Sequence, residues 1–125
     1  MKLQPDPKSS LNTVTSYDQD HIEINMVKFA HSVLVMPEGD VQAWPVKNFA
    51  DLTMADFEQI ALKKPELVIL GSGNTLLFPK PELLQPLIQA KIGFETMNSQ
   101  AACRTYNILM GEGRLVLAAL ILNQE

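Results

Sequence analysis

One cysteine, Cys103, stands among 125 residues, so no disulfide can form within the chain and a cysteine-based zinc site would lack ligands. A reducing compartment fits that usage best. Basic clusters are also missing: ten lysines and arginines against fourteen acids leave a formal net charge of -4, and no window gathers the run of cations that marks a phosphate-binding stripe. Nucleic acid is therefore not an expected partner. Long apolar runs are absent as well. The longest, Leu115 to Leu122, falls far short of the roughly 20 residues that span a bilayer and suits a buried strand. The opening residues, with Pro5, Asp6 and Pro7, have neither the apolar core of a secretory signal nor the arginine-rich character of a transit peptide, which leads to the expectation of a cytoplasmic, bacterial protein.

What remains is ordinary for a globular protein, with 46% of residues apolar, enough Leu, Ile, Val and Ala to build one core. Residues 1–20 are rich in Pro, Ser, Thr, Asn and Asp and read as a flexible N-terminal arm, leaving 21–125 as a single domain. From His21 short β segments follow: Ile22 and Ile24 alternate with polar neighbours, Ser32 to Met36 is apolar, and Val41 to Val46 follows a turn at Pro37 to Asp40. These predict antiparallel hairpins.

The second half alternates helical and strand periods. Thr53 caps a helix with Asp56 three residues on, and Phe57, Ile60 and Ala61 make its apolar stripe before Pro65. Leu67 to Leu70 reads as a strand. Pro81 opens a helix turning Leu83, Leu84, Leu87 and Ile88 inward, and Phe94 to Met97 is a further strand. Ser99 can cap a third helix to about Glu112, Gly113 ends it, and Leu115 to Ile121 is the last strand. The expected fold class is α/β: one domain with a central mixed, mostly parallel sheet, helices packed on it, and N-terminal antiparallel hairpins.

Residue chemistry offers no catalytic set. No His-x-x-x-His spacing, nucleophile elbow or second carboxylate placed to work with Glu112 occurs, and no metal or cofactor is called for. Cys103 reads as a buried small residue rather than a nucleophile. Two stretches stand out. Gly71, Ser72, Gly73 and Asn74 follow a predicted parallel strand; Asn98 and Ser99 open the third helix, on which Arg104 and Asn107 share one face while Ala102, Tyr106 and Leu109 share another. Both stretches should lie beyond the carboxyl ends of the strands, where ligands of open α/β sheets sit. Together they define a candidate crevice in which helix amides and Arg104 would favour an anion; the competing reading makes the glycines a tight turn and Arg104 a solvated surface residue. Trp44, before Pro45, is either an exposed partner anchor or a packed residue, and Glu112 with Arg114 forms a small charged cluster that a partner could contact.

The run Gly71 to Gly73, then Ile92 to Met97, then Ala101, Ala102, Cys103, Arg104, Thr105, Tyr106 and Asn107, then Glu112 to Arg114 ahead of an Ala- and Leu-rich strand, resembles the Mth938-like domain family of small α/β proteins, which includes mitochondrial complex I assembly factor 3. The resemblance covers roughly His21 to Leu122. It implies a central mixed sheet and little chemistry of its own. It also implies a non-catalytic protein-binding or assembly-factor module whose partner is a respiratory or membrane-complex subunit. The alternative is a small-molecule or anion-binding protein or enzyme using the crevice.

Overall fold

The structure is a computed structural model and describes residues 11–123. Its first three strands, β1 (Val14–Tyr17), β2 (Ile22–Ile24) and β3 (Val27–Phe29), form a small antiparallel sheet in that order. Asn25 and Met26, both at positive φ (50° and 69°), make the two-residue turn between β2 and β3 that suits the strands' twist. Asn25 is further tied by its side chain, whose Oδ1 accepts from the Thr13 amide at 3.0 Å.

Strand β1 corrects the expectation of a flexible arm over 1–20, of which residues 1–10 lie outside the described residues. Local composition there is polar, but long-range bonds order it. The Asn12 amide donates to the Pro37 carbonyl (2.8 Å), the Tyr106 hydroxyl donates to the Asn12 carbonyl (2.7 Å), and Asn107 clamps both backbone groups of Val14.

The main sheet has five strands: β4 (Val33–Val35), β5 (Gln42–Ala43), β6 (Leu67–Gly71), β7 (Gly93–Met97) and β8 (Val116–Leu120), in spatial order β5-β4-β8-β6-β7. Strand β6 runs parallel to both β7 and β8, and β4 joins β8 antiparallel, so the sheet is mixed as expected. Every residue of β8 is buried, as for a central strand covered on both faces. The early hairpins do two things: β4 and β5 extend the main sheet, and β1 to β3 help cover it. Strand β5 is only two residues long, not Val41 to Val46, because Pro45 has no amide to continue the ladder.

Helix α1 (Met54–Leu62) opens with the capping box of Thr53 and Asp56. Helix α2 (Gln85–Gln89) is short and preceded by a 3₁₀ turn, Pro81–Leu84. Switching from three to 3.6 residues per turn rotates the later positions, so Leu87 is buried while Ile88, expected inside, is exposed. Helix α3 (Ser99–Gly111) takes Asn98 as its N-cap, with its side chain accepting from the Ala101 amide at 2.8 Å; Ser99 is the first helical residue rather than the cap. Gly113, at φ 84°, follows the helix.

The alternation along the strands divides the core. Val33, Ile69, Val116, Ala118 and Leu120 pack with Ala102, Tyr106 and Met110 of α3 and with Val14, Ile22 and Ile24 of the small sheet. Leu34, Val68, Leu70, Leu117 and Ala119 pack with Phe57 and Ile60 of α1 and Leu87 of α2. The result is a three-layered molecule in which α3 and the small sheet cover one face and α1 and α2 the other. Among the described residues, no helix is long and apolar enough to cross a membrane.

Candidate functional site

Parallel register places Gly71 of β6 beside Met97 of β7 and Leu120 of β8, so the loops leaving all three strands meet at one rim of the sheet. The Gly71 to Asn74 loop and the start of α3 are therefore neighbours, as expected. Their contact is intimate. The Gly73 amide donates to Ser99 Oγ (2.9 Å), and the Ser99 amide returns a bond to the Gly73 carbonyl (2.8 Å). The buried Ser99 hydroxyl then donates to the Ile121 carbonyl (2.8 Å), locking β8 into the same knot.

This knot explains the glycines. A Cβ on Gly71 would lie 2.8 Å from Ser99 Oγ and 3.2 Å from the Cβ of Ala102, so α3 approaches β6 more closely than any side chain permits. Gly73 sits at φ 102°, and a Cβ there would collide with the Asn123 side chain. Ser72 is satisfied internally too: its hydroxyl donates to the Thr75 carbonyl (2.7 Å) and accepts from the Leu77 amide (3.1 Å). The close approach that the glycines allow is thus to the protein's own chain, and no buried side-chain polar atom among the described residues is left without a partner.

Beyond the knot the rim opens into two polar hollows of about 340 and 610 Å³. The first is lined by Tyr17, Asp18, Gln19, Gly73, Asn74, Asn98 and Gln100; the second shares Gln19 and Asn74 and adds Asp20, Asn48 and Asn123 among others. Of the eight residues expected in the crevice, Gly73, Asn74 and Asn98 line it. Gly71, Ser72 and Ser99 lie behind it in the knot. Arg104 is exposed one turn along α3 from Gln100, outside the lining, and Asn107 points its amide into β1, accepting from the Val14 amide (2.9 Å) and donating to its carbonyl (2.8 Å).

The charge of the hollows runs opposite to expectation. Asp18 and Asp20 line them, with no lysine or arginine, so the lining disfavours the anion that Arg104 suggested. Asp18 Oδ1 accepts from the amides of Asp20 (2.7 Å) and His21 (3.0 Å) and lies 3.0 Å from His21 Nδ1. The Asp20 amide first, aided by that of His21 and by the charges of His21 and Lys28, holds this carboxyl below its usual range. Burial, chiefly, raises the Tyr17 hydroxyl beside it.

The sequence did not place Tyr17, Asp18, Gln19 or Gln100 in the crevice. Nothing local reveals them, because β1 brings the first three to the rim from the far end of the chain. Nor did it single out the loop after Asn74, where Leu76, Leu77 and Phe78 stand 48, 41 and 71% exposed. Thr96 Oγ1 donates to the Leu77 carbonyl (3.0 Å), holding this apolar loop along β7 at the same rim.

The other sequence candidates lie apart from the rim. Trp44 is 5% exposed and packed with Leu34, Val46 and Phe57, so it is not a free anchor; with Pro45 and His31 it forms part of the wall of an apolar hollow of about 460 Å³. Glu112 is exposed, but Arg114 pairs with Glu66 instead (Nη2 to Oε1, 2.6 Å). That pair links the residue preceding β6 to the one two before β8. Cys103 is buried and its thiol is pushed up to about 12 by desolvation, which removes it as a nucleophile at ordinary pH. Among the described residues, no group of His, Cys, Asp or Glu converges to hold a metal.

A family model described as "Protein of unknown function (DUF498/DUF598)" matches residues 14–121, from β1 to just past β8. The chain belongs to that family. Solved structures similar to this chain share its architecture closely. A crystal structure from Bordetella parapertussis is 45% identical with a TM-score of 0.86, covering 92% of this chain and 98% of that one. The solution structure of a Mth938-like domain from Bordetella pertussis is 38% identical, TM-score 0.84, covering 100% and 94%. Among curated relatives, NADH dehydrogenase [ubiquinone] 1 alpha subcomplex assembly factor 3 from Bos taurus is 30% identical over 110 residues, and its Homo sapiens counterpart 32%. Each alignment takes in 86% of this chain but 59% of the relative. The DUF498/DUF598 domain seen here therefore spans a little over half of those proteins.

Proposed function

We propose that this chain is a non-catalytic protein-binding module of the assembly-factor type, working in the cytoplasm on a subunit of a respiratory or other membrane complex. One observation carries the reading: the rim of the sheet presents Leu76, Leu77 and Phe78 to solvent beside hollows lined by amides, so an apolar anchor surface adjoins hydrogen-bonding groups, the composition of a protein contact. Its neighbours in sequence named as assembly factors support the class of role. The Ser72 and Ser99 hydroxyls and the close approaches at Gly71 and Gly73 serve internal packing, which favours surface recognition as the role of the rim.

Affinity purification from cells tests this, comparing the wild-type chain with Phe78→Asp. A defined partner retained by the wild type and lost with Phe78→Asp is the expected result; recovery of the same proteins by both overturns the reading. A second reading rests on the lining of the hollows. Asp18, Asn74, Asn98, Gln19 and Gln100 suit a neutral or cationic polar small molecule better than an anion. Thermal-shift screening of polyols, amides and amines against metabolite anions separates the two, since saturating ligand raises stability by a few kcal/mol.

A further inference from the structure

Strand β5 ends the main sheet, with β4 on its inner side. Leu34 faces Gln42 and Val33 faces Ala43, and the Trp44 amide donates to the Ser32 carbonyl at 2.9 Å. Because hydrogen bonding alternates along an antiparallel pair, Gln42 and Trp44 turn their backbone groups toward β4, while Ala43 turns both its amide and its carbonyl outward. The two-residue period turns Val41 the same way. Among the described residues no strand pairs with that side. Gln42 and Ala43 are exposed, and no charged side chain lies between Val41 and Val46 to discourage pairing.

Backbone geometry and charge both fit this edge to itself. An antiparallel partner related by a two-fold axis through Gln42 sets Val41 of one copy against Ala43 of the other, and each such pair exchanges two hydrogen bonds. Pro45, which has no amide to offer, then falls opposite Gly39, where the chain turns away at φ 92°. Glu38 and Asp40 precede the strand and Lys47 follows it, so reversing the direction brings the acidic end of each copy to the basic end of the other.

Helix α1 repeats the pattern. A hollow of about 530 Å³ between β5 and α1 is lined by Trp44, Pro45, Asp56 and Leu62, the last 72% exposed. Lys63 lines that hollow too and also lines the adjoining one that holds Asp40, whereas Asp56 lines only the hollow that holds Pro45. The same axis therefore sets Asp56 of one copy toward Lys63 of the other and covers Leu62.

We propose that the β5 edge and the adjoining surface of α1 form a symmetric interface with a second copy of this chain, joining two main sheets into one. The test is light scattering and sedimentation of the full chain over a wide concentration range, with amide hydrogen exchange. The mass rises toward twice that of the chain, and the Val41 and Ala43 amides gain protection with concentration while that of Trp44 is protected throughout. Ala43→Pro, which removes an outward donor, weakens association about tenfold or more. Lys47→Glu weakens it too, and the triple reversal Glu38→Lys, Asp40→Lys, Lys47→Glu restores it in a chain whose fold is unchanged by circular dichroism. A monomer at every concentration overturns the proposal, as does a dimer indifferent to these variants. Protection of Ala43 only on adding an extended peptide from another protein also overturns it.

Discussion

Asn107 and Ser99 were expected to face a ligand, and both instead bind the protein's own backbone. Each joins segments far apart in sequence, Asn107 to Val14 and Ser99 to Gly73 and Ile121. Polar side chains on a helix look alike in sequence whether they meet a ligand or a strand, because the partner is supplied by tertiary contact. Ser99→Ala leaves the buried Gly73 amide and Ile121 carbonyl without that partner and should lower stability by about 1–3 kcal/mol, read as a reduced urea midpoint with unchanged slope. Asn107→Ala should cost a similar amount and selectively deprotect amides of β1 in hydrogen exchange, since it is the clamp on Val14.

Cys103 was legible as a buried residue, and its environment makes a pH prediction. Its folded pKa is raised to about 12 by desolvation, so the unfolded chain releases the proton at lower pH than the folded one. The sign follows: the contribution to stability is complete below the ordinary thiol range and is lost as pH rises from there toward about 12. At neutral pH, iodoacetamide should modify the thiol only in denaturant; rapid alkylation of the native protein would contradict this burial.

Elements whose signals are local were the most readable. The Thr53 and Asp56 capping box, the continuous apolar β6 and β8, and the Gly113 stop all follow from residues within a few positions. Thr53→Ala should therefore remove about 1 kcal/mol of stability, measured by thermal or urea unfolding, through loss of the cap alone. Strand β1 was hidden because its order comes from α3, 94 residues on from Asn12 at Tyr106, and from the turn after β4, 24 to 27 residues on. Helix α2 was misjudged at Ile88 because a proline-rich start favours a 3₁₀ turn, and the helical period used to place the apolar face does not hold across the junction.

Across the whole molecule, the order of helices and strands identified the mixed sheet and hence the rim where the candidate site lies. The neighbouring position of the Gly71 loop and the start of α3 follows from parallel β6 and β7, and was legible for that reason. The character of the site was not. Its charge comes from Asp18 and Asp20 on the segment after β1, and its apolar part from Leu76 to Phe78, whose exposure cannot be distinguished from burial by composition.

The central claim is that this rim is a protein-binding surface. Photo-crosslinking in cells from a reactive residue placed at Phe78, with the same residue at the exposed Ile108 of α3 as control, tests it most directly. The account predicts one defined protein adduct from position 78 and none from 108. No adduct at 78, or the same adducts from both positions, would contradict it.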